Sequence, residues 1–225
     1  MKKLITLIRG LFMGQRKKIR ALGCAPSKLD GTEYIYNAPE TLEVPEEYDY
    51  REFMSKVLDQ GSDPICVPCS LSTWLNWRIN MNDGSKDDHK VNLKQIFKNA
   101  GGSSEGMTFK AALSFLRHSG VSTNIGEMKI GEYAMIKNIV SLKDAIITNG
   151  PCFGALPVYD DSGYSQFWDK SRGYLKGGHA IAIVGWTREG FVIRNSWGTS
   201  FGEKGYVIIP FKQFSSFLEL WTILR

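Results

Sequence analysis

The apolar periodicity of this chain changes from helical to strand-like part-way along, and that change limits the folds open to it. Leu71, Trp74, Leu75 and Ile79 recur at i, i+3, i+4 and i+8, which predicts a helix beginning near Cys66. Pro68 is compatible with its first turn, where a backbone N–H has no intrahelical partner to lose. Phe109, Ala112, Leu113 and Leu116 predict a second helix over 108–118, and Ile139, Leu142, Ile146 and Ile147 a third over 139–148. The later segments 180–186, 190–194 and 205–210 are apolar runs bounded by Gly or Pro, which predicts strands. Cys152, between Gly-Pro and Phe-Gly, suits a buried strand as well. Helices that lead and strands that follow predict an α+β protein with a helical half and a sheet half.

A length of 225 residues allows one large domain or two small ones. The net charge of +5 suggests a polyanion partner until it is divided along the chain. Residues 1–29 hold eight Lys or Arg and no Asp or Glu, which leaves the remainder with a net charge of −3. The body is therefore not basic, and no stripe of aromatics among Lys and Arg offers a base-stacking surface, so no nucleic-acid partner is expected. Leu4, Ile5, Ile8, Leu11 and Phe12 share one helical face, so residues 2–20 predict a basic amphipathic helix able to dock on an anionic surface, a partner or the body. Residues 30–49 carry seven acidic residues and two prolines and predict an extended connector. The division expected is an arm with its linker over 1–43, a prosegment or docking element, and a main domain over 44–225.

Four cysteines in a chain of this size do not make a disulfide scaffold, which favours a reducing compartment. Leu4–Ile8 is too short for the apolar region of a signal peptide, and no run approaches the roughly 18 apolar residues of a membrane span. The expectation is a cytoplasmic or otherwise intracellular protein, virion-associated if phage-encoded.

Nucleophilic thiol catalysis needs a stabilised thiolate, a base, a group that orients the base, and donors for an oxyanion. Gln60-Gly-Ser-Asp-Pro-Ile-Cys66 opens the first helix, Gly177-Gly-His179-Ala opens a strand, and Asn195-Ser-Trp197-Gly follows another. In order and spacing, these motifs resemble the papain-like cysteine peptidases, in a disulfide-free form of bacterial or phage type. The similarity runs over about residues 44–210 and includes Val44-Pro-Glu-Glu-Tyr-Asp-Tyr-Arg51, which resembles the start of mature enzymes. It implies a two-part fold, helical on one side and sheet or barrel-like on the other, with a cleft between. It also implies Cys66 as nucleophile, His179 as base, Asn195 as its orienter, Gln60 as oxyanion donor and Trp197 as a shield over the His–Asn bond.

The same resemblance places Gly106 where backbone pairs with an extended peptide, and Ala155, Gly178 and Ala180 around the main specificity pocket. That pocket is then expected to be apolar and roomy, taking a hydrophobic residue one position before the scissile residue. Protein or peptide is the implied substrate, and no metal or organic cofactor is expected. Asp63 and Val67 depart from the pattern, standing where many secreted relatives have a cysteine and an aromatic.

Other readings of the same residues explain less. Cys66-Val-Pro-Cys69 also spells a dithiol redox motif, but that leaves His179 and the Asn-Ser-Trp-Gly stretch unused. Cys69 fits better as a packing residue, and Trp74, Trp77 and Trp186 as core aromatics. His89, in a polar run, and His118, late in a helix, read as surface residues. A papain fold with an idle site, serving structure or binding, is the alternative to a working enzyme, as is a transpeptidase or amidase using the same triad. Retention of all four catalytic residue types favours the working enzyme.

Overall fold

The periodicity around Leu71 builds the longest helix among the described residues, and more of it is buried than one stripe would require. In the computed structural model, which describes residues 21–39, 43–159 and 166–225, the elements run as follows. Strands β1 (Ile35–Tyr36) and β2 (Tyr48–Asp49) precede helices α1 (Cys66–Asp83), α2 (Leu93–Asn99) and α3 (Phe109–His118). Then come β3 (Val121–Thr123), β4 (Gly126–Met128), β5 (Tyr133–Ile136) and α4 (Ile139–Asn149). The chain ends in β6 (Cys152–Val158), β7 (Gly177–Trp186), β8 (Gly190–Arg194), β9 (Tyr206–Pro210) and β10 (Glu219–Ile223). The amphipathic helix expected over 2–20 lies outside the described residues.

Helix α1 is covered on nearly every side, with Val67, Leu71, Leu75 and Trp77 at 1% exposure or less. It packs on β7 and β6 and against α2 and α3. Asn92, Thr108 and Asn138 cap α2, α3 and α4, each accepting a backbone N–H of the first turn through its side-chain oxygen. The main sheet runs β1-β5-β10-β6-β7-β8-β9, with β2 also paired to β7. All its pairings are antiparallel except β1 with β5. The sheet stays open, so the barrel-like closure expected of this half is not formed.

Strands β6, β7 and β8 lie at the centre, and nearly every residue in them is buried. Each Ile, Val or Phe there removes apolar area worth about 1.5–3 kcal/mol. These strands therefore form the fixed platform on which the site is built.

His89 corrects the surface reading. It is 4% exposed, its Nε2 lies 2.7 Å from Asn80 Oδ1, and its N–H donates to Asn76 Oδ1. Two α1 amides draw the polar run inward by satisfying its hydrogen bonds, a tertiary effect invisible to periodicity. His118 is exposed, as read.

Candidate active site

Cys66 is the first residue of α1, where backbone N–H groups lack intrahelical partners and the positive end of the helix dipole is directed. Its sulfur is fully buried and receives the backbone N–H groups of Ala180 and Gly23. Ala180 follows His179 in β7, so helix head and strand bring the two motifs to one place.

His179 Nε2 lies 2.7 Å from Asn195 Oδ1. The Ser196 N–H donates to the same oxygen at 2.7 Å, which identifies it as the amide carbonyl, so Nε2 is the donor. Nδ1 is thereby turned away from Asn195. The Trp197 ring lies over the imidazole at a centroid distance of 4.5 Å, and Phe167 meets it edge-on at 5.7 Å. Phe167 was not singled out by the sequence; it precedes the His motif by twelve residues and belongs to no periodic run. Trp197 and Phe167 are both buried, so the His–Asn bond lies in a dry, aromatic setting.

Asn195 is held from behind. Arg194, 4% exposed, donates to the carbonyls of Ser55 and Lys56 and to the Tyr206 hydroxyl, which ties the end of β8 to the segment before Gln60. Ser196 provides a second link, its Oγ donating to Gln60 Oε1 at 2.5 Å and its carbonyl accepting the Gln60 N–H at 2.9 Å. The Gln60 amide nitrogen then donates to Asp63 O at 2.9 Å and to Ala21 O at 3.1 Å. Cys69 and Cys152 are buried, and burial pushes both thiols well above the ordinary range, which suits packing residues.

Residues 21–25 form a strap directly over these groups. Cys24 N–H donates to Gly178 O at 3.2 Å, Met107 N–H to Gly23 O, and Ala25 N–H to Met107 O, a parallel bridge between Cys24 and Met107. Gly106 has φ +91°, and a Cβ there would sit 2.1 Å from Gly23 O. A Cβ on Gly178 would sit 2.2 Å from Cys24 O. Both glycines thus allow an extended backbone to approach, in the places the sequence assigned to substrate. Under the strap, burial pushes the Cys66 thiol up to about 11, against N–H donation by Ala180, Gly23 and Val67, so at neutral pH it is held as S–H.

Ala155 and Ala180 are directly paired across β6 and β7, but Glu219 pairs with Ala155 from the other side. Paired residues share a face of the sheet, so a carboxylate stands in row with the two alanines. Glu219 lies beyond residues 44–210, over which the resemblance runs.

Residues 81–215, more than half the chain, match the family model described as papain family cysteine protease. The match includes His179 and Asn195 and begins after Cys66. A gut-specific cysteine proteinase of Caenorhabditis elegans is 37% identical over 97 residues, 39% of this chain and 30% of that protein. A cathepsin B-like cysteine proteinase 3 of the same organism is 40% identical over 76 residues, 31% of this chain and 20% of that protein. The matched stretch thus spans less than a third of either relative. Among solved structures, xylellain, a cysteine protease from Xylella fastidiosa, superposes with a TM-score of 0.76 at 20% identity, covering 93% of this chain and 98% of that one. The procathepsin B S9 of Trypanosoma congolense gives 0.74 at 16% identity, covering 91% and 86%. At these identities the two structures speak for the fold.

Proposed function

We propose that this chain, which belongs to the papain family of cysteine proteases, is an endopeptidase acting through Cys66, His179, Asn195 and Gln60 and held latent by residues 21–25. The observation that carries this reading is the buried His179–Asn195 bond under Trp197, built beside a cysteine at a helix head. Such a cysteine gains thiolate character from the dipole and from an imidazolium neighbour once the desolvating cover is gone. The Cys66 proton passes to His179, and the thiolate attacks the peptide carbonyl. The oxyanion is held by the Gln60 amide N–H and the Cys66 backbone N–H. Collapse expels the amine, which takes its proton from His179 and leaves a thioester; His179 then deprotonates the water that resolves it. Asn195 keeps the ring in the required orientation throughout.

The strap brings the Gly23 N–H to the Cys66 sulfur and the Ala21 carbonyl to the Gln60 amide, so it occupies both the nucleophile and the oxyanion donor. The test uses hydrolysis of an unstructured protein and labelling by a peptide epoxide, read by mass spectrometry. Cys66→Ser should abolish both, whereas Cys69→Ser should leave most of each. Turnover that survives Cys66→Ser, or is lost in Cys69→Ser alone, would overturn the assignment.

A further inference from the structure

The cationic arm and one exposed loop of the body play no part in the peptidase chemistry, and the strap brings them to one side of the molecule. Residues 1–20 lie outside the described residues, so only their sequence enters here: seven Lys or Arg, no Asp or Glu, and the apolar set Leu4, Ile5, Ile8, Leu11 and Phe12 at helical spacing. The arm joins the body at Ala21, whose N–H lies 3.5 Å from Gly61 O. Leu22, half-buried, then rests against Gly177, its Cδ1 3.1 Å from where a Cβ on that glycine would sit. The loop just before Gly177 holds Tyr174, 90% exposed, and Leu175, 62% exposed, with the exposed Lys170 and Lys176 on either side. The arm thus meets the body beside the most exposed large apolar side chain among the described residues.

Charge narrows what can cover this face. The loop's lysines repel a segment with seven cations, and a second copy of the chain brings the same sign to the same place, so neither the arm nor a twin subunit suits it. Asp169, the one acid of residues 166–176, accepts the N–H and the hydroxyl of Ser171. An anionic partner is required. A nucleic acid would satisfy the cations and leave the apolar face of the arm, Tyr174 and Leu175 in water. An anionic bilayer satisfies both, because apolar side chains enter the headgroup boundary while Lys and Arg meet the charged headgroups. Among the described residues no helix is long and apolar enough to cross a membrane, so the contact is peripheral.

We propose that the arm and the loop 170–176 form one docking face for an anionic phospholipid bilayer. The arm supplies most of the attraction, since each cation close to such a surface tightens binding about fivefold. Tyr174 and Leu175 supply a second point of entry, and two points fix how the body is turned. The strap's anchor points, Gly61 and Gly178, then face the lipid. The inference concerns binding and holds whether or not the peptidase reading does.

The test is co-sedimentation of the full chain with vesicles of phosphatidylcholine alone or mixed with phosphatidylserine. Phosphatidylserine should tighten binding by about 100-fold. Raising the salt from about 0.1 M to about 1 M, which shortens the screening length from about 10 Å to about 3 Å, should reverse most of that gain. Replacing Arg16, Lys17, Lys18 and Arg20 together by Gln should weaken binding to the mixed vesicles by about 100-fold or more. Tyr174→Ser with Leu175→Ser, two exposed positions where folding is not at stake, should weaken it by about 10-fold, with the circular dichroism spectrum unchanged. Equal binding to both vesicle types, or to neither, overturns the proposal. So does unchanged binding in the Tyr174/Leu175 pair, which would leave the arm acting alone. Single-stranded RNA that binds as tightly as the mixed vesicles and displaces them, with no loss in that pair, would assign the face to a polyanion instead.

Discussion

The catalytic platform and the strap meet at Cys66 but are held by different interactions. His179, Asn195 and Trp197 belong to β7 and to the end of β8, where side chains are buried on both sheet faces and each polar group is tied to a second motif through Ser196 or Arg194. Residues 21–39 are held by main-chain hydrogen bonds, by the two-residue pairing of β1 with β5, and by Lys110 between Asp30 and Glu33. Few residues of the strap are buried; Gly23 and Cys24 are the exceptions among residues 21–30. Local opening follows the number of buried contacts, so the strap can leave while the platform remains. The latency proposed above needs that inequality.

The largest effects should arise within the platform. His179→Ala removes the proton acceptor and should cost about 10³-fold or more in kcat/KM. Asn195→Ala should cost less, about 10- to 100-fold, because it disturbs the ring's orientation and leaves the base in place. Steady-state rates on one peptide compare them, and an equal loss would mean that Asn195 does more than orient. The next effect is on stability. Arg194→Met leaves the buried Ser55 carbonyl and the part-buried Lys56 carbonyl and Tyr206 hydroxyl without their donor, so unfolding in urea should show a loss of about 2–4 kcal/mol. A change below about 0.5 kcal/mol would show that the clamp behind Asn195 is not needed to hold the platform.

The platform was more legible in the sequence than the strap, for a physical reason. Cys66 opens a helix with an apolar period, and His179 and Asn195 stand within or just after apolar runs bounded by glycine, so α1, β7 and β8 each announce themselves in the sequence. Helix α2 buries only Ile96 and left no stripe to read. Strand β6 is wholly buried and contains Pro157, opposite Gly178 at the strand's end, where a missing N–H does little harm. The strap's placement follows from backbone hydrogen bonds, which any residue can make, so Ala21-Leu-Gly-Cys-Ala25 carries no pattern pointing to the cleft. Its one readable signal is Gly23, and a glycine gains meaning only when the surface it must approach is known.

That glycine supplies a sharper test of the comparison. A Cβ on Gly23 would sit 2.3 Å from the Pro64 carbonyl oxygen, so Gly23→Ala cannot keep the strap seated without moving backbone. Overpacking of this kind shifts an equilibrium by enough to raise the full chain's activity about tenfold. Thermal stability should barely change. The thiol should respond as well: with the strap down its pKa is raised from 9.0 to about 11, and release removes the burial that raises it. Iodoacetamide reactivity of Cys66 should therefore show its midpoint at lower pH in Gly23→Ala than in the parent. Unchanged activity and an unchanged midpoint would mean that the strap already exchanges freely.

The smallest effect expected is at Lys110, whose Nζ lies 2.9 Å from Asp30 Oδ2 and 2.6 Å from Glu33 Oε1. Hydrogen bonds from Thr32 and Lys110 hold the Asp30 carboxyl well below the ordinary carboxylate range, and the Lys110 ammonium lowers Glu33 as well. A depressed carboxylate pKa contributes to docking fully above the group's ordinary value, 3.8 for Asp and 4.5 for Glu, and that contribution is lost as pH falls through the depressed range. These pairs are only partly covered and so are screened, and Lys110→Ala should raise activity at pH 7 by only about two- to fivefold. The informative measurement is the ratio of variant to parent activity between pH 7 and pH 3. It should start to fall toward one only at the acid end, because Asp30 and Glu33 stay ionised until pH drops into their depressed range, where protons release in the parent the same contact that the mutation removes. A ratio that stays constant with pH would assign the strap's hold to its main-chain bonds alone, leaving Asp30 and Glu33 no part in latency.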